Sequence, residues 1–529
     1  MTGTTVPGAG LLAARPARAI AAGERIHVVG AAGAGASAAV LHAAWAGAVA
    51  SGCDPGGPTR YSAPLEAAGI ELSWQHDPAH VRRTPPPDRL AVTKALTAIA
   101  PDHPELVAAR DDGVPLEPWQ QVIADAAVGR MLIGVAGTHG KSTTAGWLVH
   151  VLVAAGADPS AFVGALLPAA LAGEIPATAR HGEGRSFVVE ADEYAGNFDP
   201  YRPVISIVTS AEWDHPDVFV DRKAVVAAFD GWLRASAEDR RTDAGEDSRG
   251  VPTAIINVAD AGAATLAAGL ADWSGRIVAT ALLDADGSRV AGFSRGLGDQ
   301  YATGGGPASA ILGRIVASDP NGTTLEIHGL DPLHGPRSVR LRTAGRHNAA
   351  NALGVAASAQ RAGIEPDAIV TGLASFAGVG RRLERKGEVA GVIVFDDYGH
   401  HPTAIRETLA AVRQRAPGRR VWAVYEPLTY HRTAALLDDF ASALAEADAV
   451  AIADIWAGRD PDLTIASAEG LANAVARRNS RIPIASPGTV EETATWLADQ
   501  VRSGDAVLVM GGGRSDRIGE LLLEALADR

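Results

Sequence analysis

The run Gly137-Thr138-His139-Gly140-Lys141-Ser142-Thr143-Thr144 carries the most legible chemistry in the chain. Its glycines let backbone N–H groups turn toward an anion at a helix N-terminus, where unpaired donors and the helix dipole already favour negative charge. Lys141 adds a full positive charge, and Ser142 is placed to offer a hydroxyl to a phosphate-bound magnesium ion. The common eight-residue phosphate loop begins with glycine where this chain has Val135, so this is a shorter variant with its Gly-Lys-Ser core intact. Magnesium needs further hard ligands, and two acidic clusters follow apolar runs: Glu190-Ala191-Asp192-Glu193 after 186–189, and Trp213-Asp214-His215-Pro216-Asp217 after 204–208. Three carboxylates directly after a strand repel one another unless a cation lies among them. Singly, each cluster also fits a solvated helix cap. Together, at the ends of neighbouring predicted strands, they describe a nucleotide and metal site.

Such a site requires parallel strands whose C-terminal ends converge on one crevice. The chain supplies the pattern, repeating a β-rich apolar run, a Gly or polar turn, and an amphipathic stretch, which predicts an α/β fold. One unit opens at Arg25-Ile26-His27-Val28-Val29 and turns through Gly30, Gly33 and Gly35, with Asp54 about 20 residues on. It fits a dinucleotide-type turn or a plain structural one, since the chain has 59 glycines. A second unit starts near Met131 and runs into the phosphate loop and a helix with Trp147, Leu148, Val151 and Leu152 on one face. The polar stretch 238–250 and the Gly-rich stretch 287–307 read as loops inside this second domain. From Gly391 the pattern restarts and continues to the last helix, as a third doubly wound domain.

The composition sets outer limits. The chain has 529 residues, enough for three or four domains, and 47% hydrophobic residues with 20% charged rule out global disorder. A net charge of −14 repels phosphate backbones and anionic lipid, which argues against nucleic-acid or membrane partners. The single cysteine, Cys53, fits a reducing compartment, and no uncharged apolar run approaches the ~18 to 20 residues that cross a bilayer. A cytoplasmic protein, monomer or homodimer, is expected, with residues 1–25 as a mobile Ala/Gly/Pro leader.

The motifs GTHGKSTT, EADE, the Asp-His of EWDHPD, GRHNAANALGVAA, the Phe376–Arg382 segment with its paired arginines, and DDYGHHPTAI occur in an order that resembles the Mur ligase family, the ATP-dependent amide ligases of peptidoglycan precursor synthesis. The resemblance covers the chain from about residue 26. It is similar above all to the branch joining L-alanine to UDP-N-acetylmuramate, and to its relative that attaches a recycled tripeptide. It implies three domains: a Rossmann-like UDP-sugar domain (26–130), a central P-loop-type ATPase domain (131–376) and a Rossmann-like C-terminal domain (377–529) that closes over the amino acid. Gly30, Gly33, Gly35, Ser37 and Asp54 would hold the UDP-sugar. Gly137, Thr138, His139, Gly140, Lys141, Ser142 and Thr143 would hold the ATP phosphates, with Asn348 and Asn351 near the adenine and Arg382 and Asp397 across the cleft. Ser142, Glu190 and His215 would surround Mg2+, and Tyr398, His400, His401 and Arg432 would face the incoming amine. Without the resemblance, Asn348 and Asn351 equally fit a helix cap, Arg381 and Arg382 a solvated face, and both histidines ordinary loop positions.

A carboxylate acylates poorly, so the implied activity first makes an acyl phosphate with ATP, Lys141 and magnesium neutralising the transferred charge. The attacking amine must be neutral, and His400 or His401 is the candidate base, an ordinary imidazole titrating near pH ~6.5. The family pattern is broken at Ala32, Ala36, Thr93-Lys94-Ala95 and Ser210. The largest break is Tyr425 to Thr433, where Leu428 removes an expected imidazole and Glu426 is similar to the tripeptide-attaching branch. Alternatives are therefore a ligase using glycine, serine or a tripeptide, a non-catalytic nucleotide-binding regulator, and a P-loop kinase acting on a hydroxyl.

Overall fold

The computed structural model describes residues 6–242, 251–283, 309–331, 333–458, 460 and 462–529. It contains three sheets, one per domain. The first is parallel, in the order Glu71–Ser73, Val49–Cys53, Arg25–Val29, Arg89–Val92, Leu116–Pro118. Its strands read as short apolar runs because they are covered by helices.

The central sheet has ten strands, and its middle carries the chemistry. Met131–Ala136 lies between Ser186–Glu190 and Ile205–Val208, parallel to both. The phosphate loop and both acidic clusters therefore emerge at the same edge of adjacent strands, as the spacing predicts. The far edge departs from the repeating pattern: Ser309–Asp319, Gly322–His328 and Arg337–Leu341 form an antiparallel meander. On one face, the helix Lys141–Ala154 packs with Arg346–Arg361 and Pro366–Ser375 over a core that includes Trp147, Leu353 and Phe376. Trp147 and Phe376 stack with centroids 4.7 Å apart.

The third sheet runs Glu384–Val389, Val392–Asp397, Asp505–Gly511, Arg420–Glu426, Ala449–Ala453, Ile484–Gly488, parallel except for its first strand. The repeating pattern that restarts at Gly391 supplies its parallel strands. The antiparallel first strand, Glu-Arg-Lys-Gly-Glu-Val, was hidden by its polar composition, which suits a sheet edge.

The first two domains share one apolar cluster running from Ile26 and Leu41 through Phe162 and Phe187 to Phe229 and Trp232. The helix Ala34–Trp45 forms the seam, where His42 Nε2 lies 2.9 Å from the Ala161 carbonyl. The third domain meets the second largely through polar side chains, described below.

Two expectations need correction. The leader is not loose where it is described: Gly8 N donates to Lys94 O and to Thr97 Oγ1, and Leu12 N donates to Leu116 O. Arg15 pairs with Asp125 at 2.7 Å and Arg18 with Glu24 at 2.6 Å. The reason is electrostatic, because Glu24, Glu117 and Asp125 crowd around one buried cation, Arg89, and the leader arginines supply the missing positive charge. The stretch expected as a loop from residue 238 begins as helix, since Arg222–Thr242 is continuous. The rest of 238–250, and all of 287–307, lies outside the described residues. Among the described residues no helix is long and apolar enough to cross a membrane.

Candidate functional site

The edge where the central strands end opens into a cleft of about 630 Å³. All three domains line it: Gly35 and Trp119 from the first, the phosphate loop and Glu190, Asp192 and His215 from the second, and Asp397 to His401, Leu428 and Arg432 from the third. Its floor is the N-terminus of the helix Lys141–Ala154. Gly140 begins that helix at φ 78°, in the left-handed region, and a Cβ there would meet Asn351 Oδ1 at 2.7 Å. The turn is held by side chains of the next strand end. His139 N donates to Ser210 Oγ at 3.0 Å, and Glu212 N donates to Thr138 Oγ1 at 2.9 Å.

Lys141 Nζ lies 2.9 Å from Glu193 Oε2 and 3.7 Å from Asp192 Oδ1, and also donates to the Gly137 carbonyl at 2.7 Å. Burial opposes its charge, yet these carboxylates hold the ammonium pKa above its ordinary value. Burial pushes the Glu193 carboxyl up to about 7 despite the lysine, with Asp192 adding repulsion. The carboxylates thus keep a buried ammonium charged at the N-terminus of the helix Lys141–Ala154.

Ser142 Oγ donates to Glu190 Oε1 at 2.9 Å, and Glu190 Oε2 accepts from Gly164 N at 2.6 Å. His215 stands apart from that pair. Its ligating atom lies within 4.8 Å of those of Asp192 and Glu193, and it adopts φ 54°, in the left-handed region. The three residues expected to surround magnesium thus fall into two groups: Ser142 with Glu190, and His215 with Asp192 and Glu193. The donors are carboxylate and hydroxyl oxygens with one imidazole, a set that fits a hard divalent cation.

The third domain reaches over this floor. Arg382 Nη2 donates to Ser142 Oγ at 2.7 Å, and its guanidinium lies 5.0 Å from the Tyr398 ring centre. Arg432, almost fully buried, donates through Nε to Asp214 Oδ1 at 2.6 Å, with Nη2 3.2 Å from His215 Nδ1. Asp214 is buried, which opposes its charge, but Arg432 holds its pKa well below the usual carboxylate range. Arg381, singled out with Arg382 as a possible solvated face, is buried and bound to Asp396 and Ser515.

Several expected site residues are placed differently. His401 caps the helix Pro402–Arg415: its Nδ1 accepts from Thr403 N at 3.3 Å, and Nε2 lies 3.2 Å from the Trp213 carbonyl. Both ring nitrogens are thus committed, which leaves His401 no lone pair for the amine proton in this arrangement, and burial lowers its pKa to about 4. His400 commits only Nδ1, to the Tyr398 carbonyl at 2.9 Å, and burial together with Arg432 keeps the imidazole neutral. Asp397 lines the cleft, but its oxygens accept from Leu383 N and Gly399 N, both at 2.7 Å, so it shapes the loop bearing Tyr398 and His400. Asn348 and Asn351 line the cleft beside the phosphate loop, and Asn348 Nδ2 donates to Ala344 O at 2.8 Å.

In the first domain, Gly30 N donates to Cys53 O, Gly33 N to Gly30 O, and Gly35 packs against the Trp119 ring. Ser37 is buried in the seam between the first two domains, donating to Ala34 O and lying 3.3 Å from Thr178 Oγ1, so it is a packing residue and not a sugar contact. Asp54 braces the glycine turn, accepting from Ala32 N at 3.2 Å and from Gly56 N at 2.9 Å. The sequence reading did not single out Trp119 or Glu212 for the site. Glu212 accepts from Thr403 Oγ1 of the third domain at 2.7 Å, and its place beside Asp214 and His215 was the available signal.

Comparison with known proteins bears on this arrangement. Residues 25–130 match the Mur ligase family, catalytic domain, and residues 381–513 match the Mur ligase, glutamate ligase domain. The chain is 34% identical, over 95% of both chains, to a UDP-N-acetylmuramate--L-alanine ligase of Mycolicibacterium smegmatis. Its fold is similar to that of the UDP-N-acetylmuramate-alanine ligase MurC of Thermotoga maritima, with a TM-score of 0.71, 21% identity, and coverage of 94% of this chain and 98% of that one. It is also similar to that of a murein peptide ligase of Psychrobacter arcticus, with a TM-score of 0.67, 24% identity, and coverage of 96% and 99%.

Proposed function

The chain belongs to the Mur ligase family, and from that premise we propose that it joins L-alanine to the carboxylate of UDP-N-acetylmuramate, forming ADP and phosphate, in peptidoglycan precursor synthesis. The observation that carries this reading is the convergence of Lys141, Ser142 and Glu190 with Arg382 of the third domain in one cleft. ATP phosphates are received by the loop Gly137–Thr143 and by Lys141, which exchanges its carboxylate partners for phosphate oxygens. Ser142 with Glu190, and His215 with Asp192 and Glu193, are the residues that would hold Mg2+. When bound, the ion neutralises charge on the transferring phosphoryl group.

Arg382 sits where it can stabilise the same charge from the opposite wall. Phosphoryl transfer gives the sugar carboxylate a good leaving group, and the amine then displaces phosphate. Neutral His400, with Nε2 not used by the Tyr398 contact, accepts the amine proton. The third domain closes the cleft and keeps water from the acyl phosphate. Trp119 and Gly35 mark the side from which the UDP-sugar enters. The reaction occurs in the cytoplasm in this reading, where ATP and the nucleotide sugar are made available.

Phosphate release measured with UDP-N-acetylmuramate, ATP and magnesium, against a panel of L-alanine, glycine, L-serine and a muramyl-type tripeptide, tests the reading. Turnover with L-alanine supports it. Turnover that strictly requires the tripeptide supports the peptide-adding alternative, which Leu428 at the cleft wall and buried Glu426 favour. ATP binding without turnover on any amine would leave only the regulatory reading.

A further inference from the structure

On the face of the first sheet turned away from the helix Ala34–Trp45, four side chains of metal-ligating type meet: His27, Cys53, His80 and Glu105. One donor atom from each lies within 4.8 Å of all the others. They come from four elements. His27 is on the strand Arg25–Val29, Cys53 ends Val49–Cys53, His80 is on the short helix Ala79–Arg82, and Glu105 is on Pro104–Asp111. The parallel register pairs His27 with Ser51 and Val29 with Cys53, so the alternation of the two strands sends His27, Ser51 and Cys53 to one face.

We propose that this cluster is a structural site for a borderline-soft divalent transition metal, with zinc as the best match, separate from the nucleotide cleft. The donor set carries the argument. A thiolate, two imidazoles and a carboxylate are the ligand types of tetrahedral zinc, and the two anionic donors cancel the ion's charge in a buried place. Tetrahedral bonds of the usual lengths put donors about 3.4 to 3.8 Å apart. The contacts in the metal-free cluster are tighter, as hydrogen bonds are: Cys53 Sγ is 3.1 Å from Glu105 Oε2, and His80 Nδ1 is 2.6 Å from Glu105 Oε1. Small outward shifts of these side chains exchange the hydrogen bonds for metal bonds.

The independent observation is His27. It is 2% exposed, its Nδ1 lies 2.9 Å from Ser51 Oγ, and its Nε2 has no hydrogen-bond partner among the described residues. A hydrogen bond on one ring nitrogen that leaves a bare lone pair on the other is how proteins prepare an imidazole for a metal. A buried donor or acceptor left without a partner is destabilising, and a metal bond relieves that cost. Partly exposed His76, with Nδ1 3.3 Å from Cys53 Sγ, marks the entry side. Binding replaces the thiol proton with the ion and releases that proton to solvent. The Cys53 carbonyl accepts from both Gly30 N and Ala31 N, so the ion would also stiffen the glycine turn at the opening of the first domain.

The full-length protein, stripped with a chelator, is titrated with Zn2+ and separately with Co2+ in magnesium-containing buffer. One tightly held zinc per chain, a thiolate-to-cobalt charge-transfer band and tetrahedral visible bands are expected. Cys53→Ser should abolish the charge-transfer band, and His27→Gln should weaken zinc binding at least tenfold. Glu190→Gln, altered only in the nucleotide cleft, should keep both signals. No charge-transfer band in the unsubstituted protein, or zinc affinity unchanged in His27→Gln, overturns the site. Should Cys53→Ser fold poorly by circular dichroism, the cobalt spectrum of the unsubstituted protein and the His27→Gln titration still decide. None of these readouts depends on ligase turnover, so the site and the proposed activity stand or fall separately.

Discussion

Arg382 Nη2 donates to Ser142 Oγ across 2.7 Å, joining residues 240 positions apart in the chain and two different domains. The contact places a guanidinium on the hydroxyl that also binds Glu190, at the point where a terminal phosphate would lie. Removing the charge should therefore weaken transition-state stabilisation more than substrate binding. Arg382→Ala is expected to lower kcat about 10- to 100-fold in the phosphate-release assay, with a smaller effect on the KM for UDP-N-acetylmuramate. An unchanged kcat would remove Arg382 from the chemistry.

Lys141 is the one cation held within the phosphate loop itself. Lys141→Met should reduce kcat by roughly 10² to 10³-fold. The fold should survive, because Glu193, already pushed up to about 7, takes a proton when its partner is lost. Phosphate release and thermal unfolding measured on the same preparation check both halves, and residual activity near that of the parent protein would contradict the assignment.

Glu190 binds Ser142 and the Gly164 N–H. Glu190→Gln keeps one acceptor oxygen, puts an amide NH2 in place of the other, and deletes the charge. The magnesium concentration giving half-maximal rate is expected to rise about tenfold or more. An unaltered magnesium dependence would move the ion to the group around His215.

Burial holds the His42 imidazole down near a pKa of about 4, against an ordinary value of 6.5. As pH falls below 6.5 the unfolded chain takes up a proton that the folded chain refuses until about 4. Stability is thus fully present above 6.5 and is lost progressively between 6.5 and 4, by up to about 3 kcal/mol for this residue. His401, held near the same value by burial, contributes in the same direction. Urea midpoints measured from pH 7.5 to 5 should fall, and His42→Gln, which still donates to the Ala161 carbonyl, should flatten that slope.

Leu428 lines the cleft where the family pattern expects an imidazole. Leu428→His is expected to change the KM for the amine several-fold while leaving the KM for ATP nearly constant. Equal movement of both constants would mean that Leu428 acts on closure and not on the acceptor.

The parts of this architecture legible in the sequence are those with local causes. The strand, Gly-rich turn and helix around Lys141 are written in one local stretch, 131–154, and the carboxylates at 190, 192 and 193 betray themselves by crowding. His401 and Ser37 spend their side chains on remote partners, the Trp213 carbonyl and Thr178, while Asp397 lines the cleft but gives its oxygens to the Leu383 and Gly399 N–H groups. A side chain's type declares what bonds it can make, while only the folded chain decides whether those bonds are spent on architecture. The leader misled for a related reason. Its Ala, Gly and Pro residues suggest looseness, but Arg15 and Arg18 answer a carboxylate excess that forms only when Glu24, Glu117 and Asp125 assemble.

The two domain boundaries differ in kind. The first two domains are fused by a shared apolar cluster, whereas Arg382, Arg432 and Thr403 tie the third to the second by polar contacts. Separating the third domain uncovers the Trp213 ring, which packs on its core, but leaves the cluster shared by the first two domains intact, so opening there carries a smaller heat-capacity change than parting the first two.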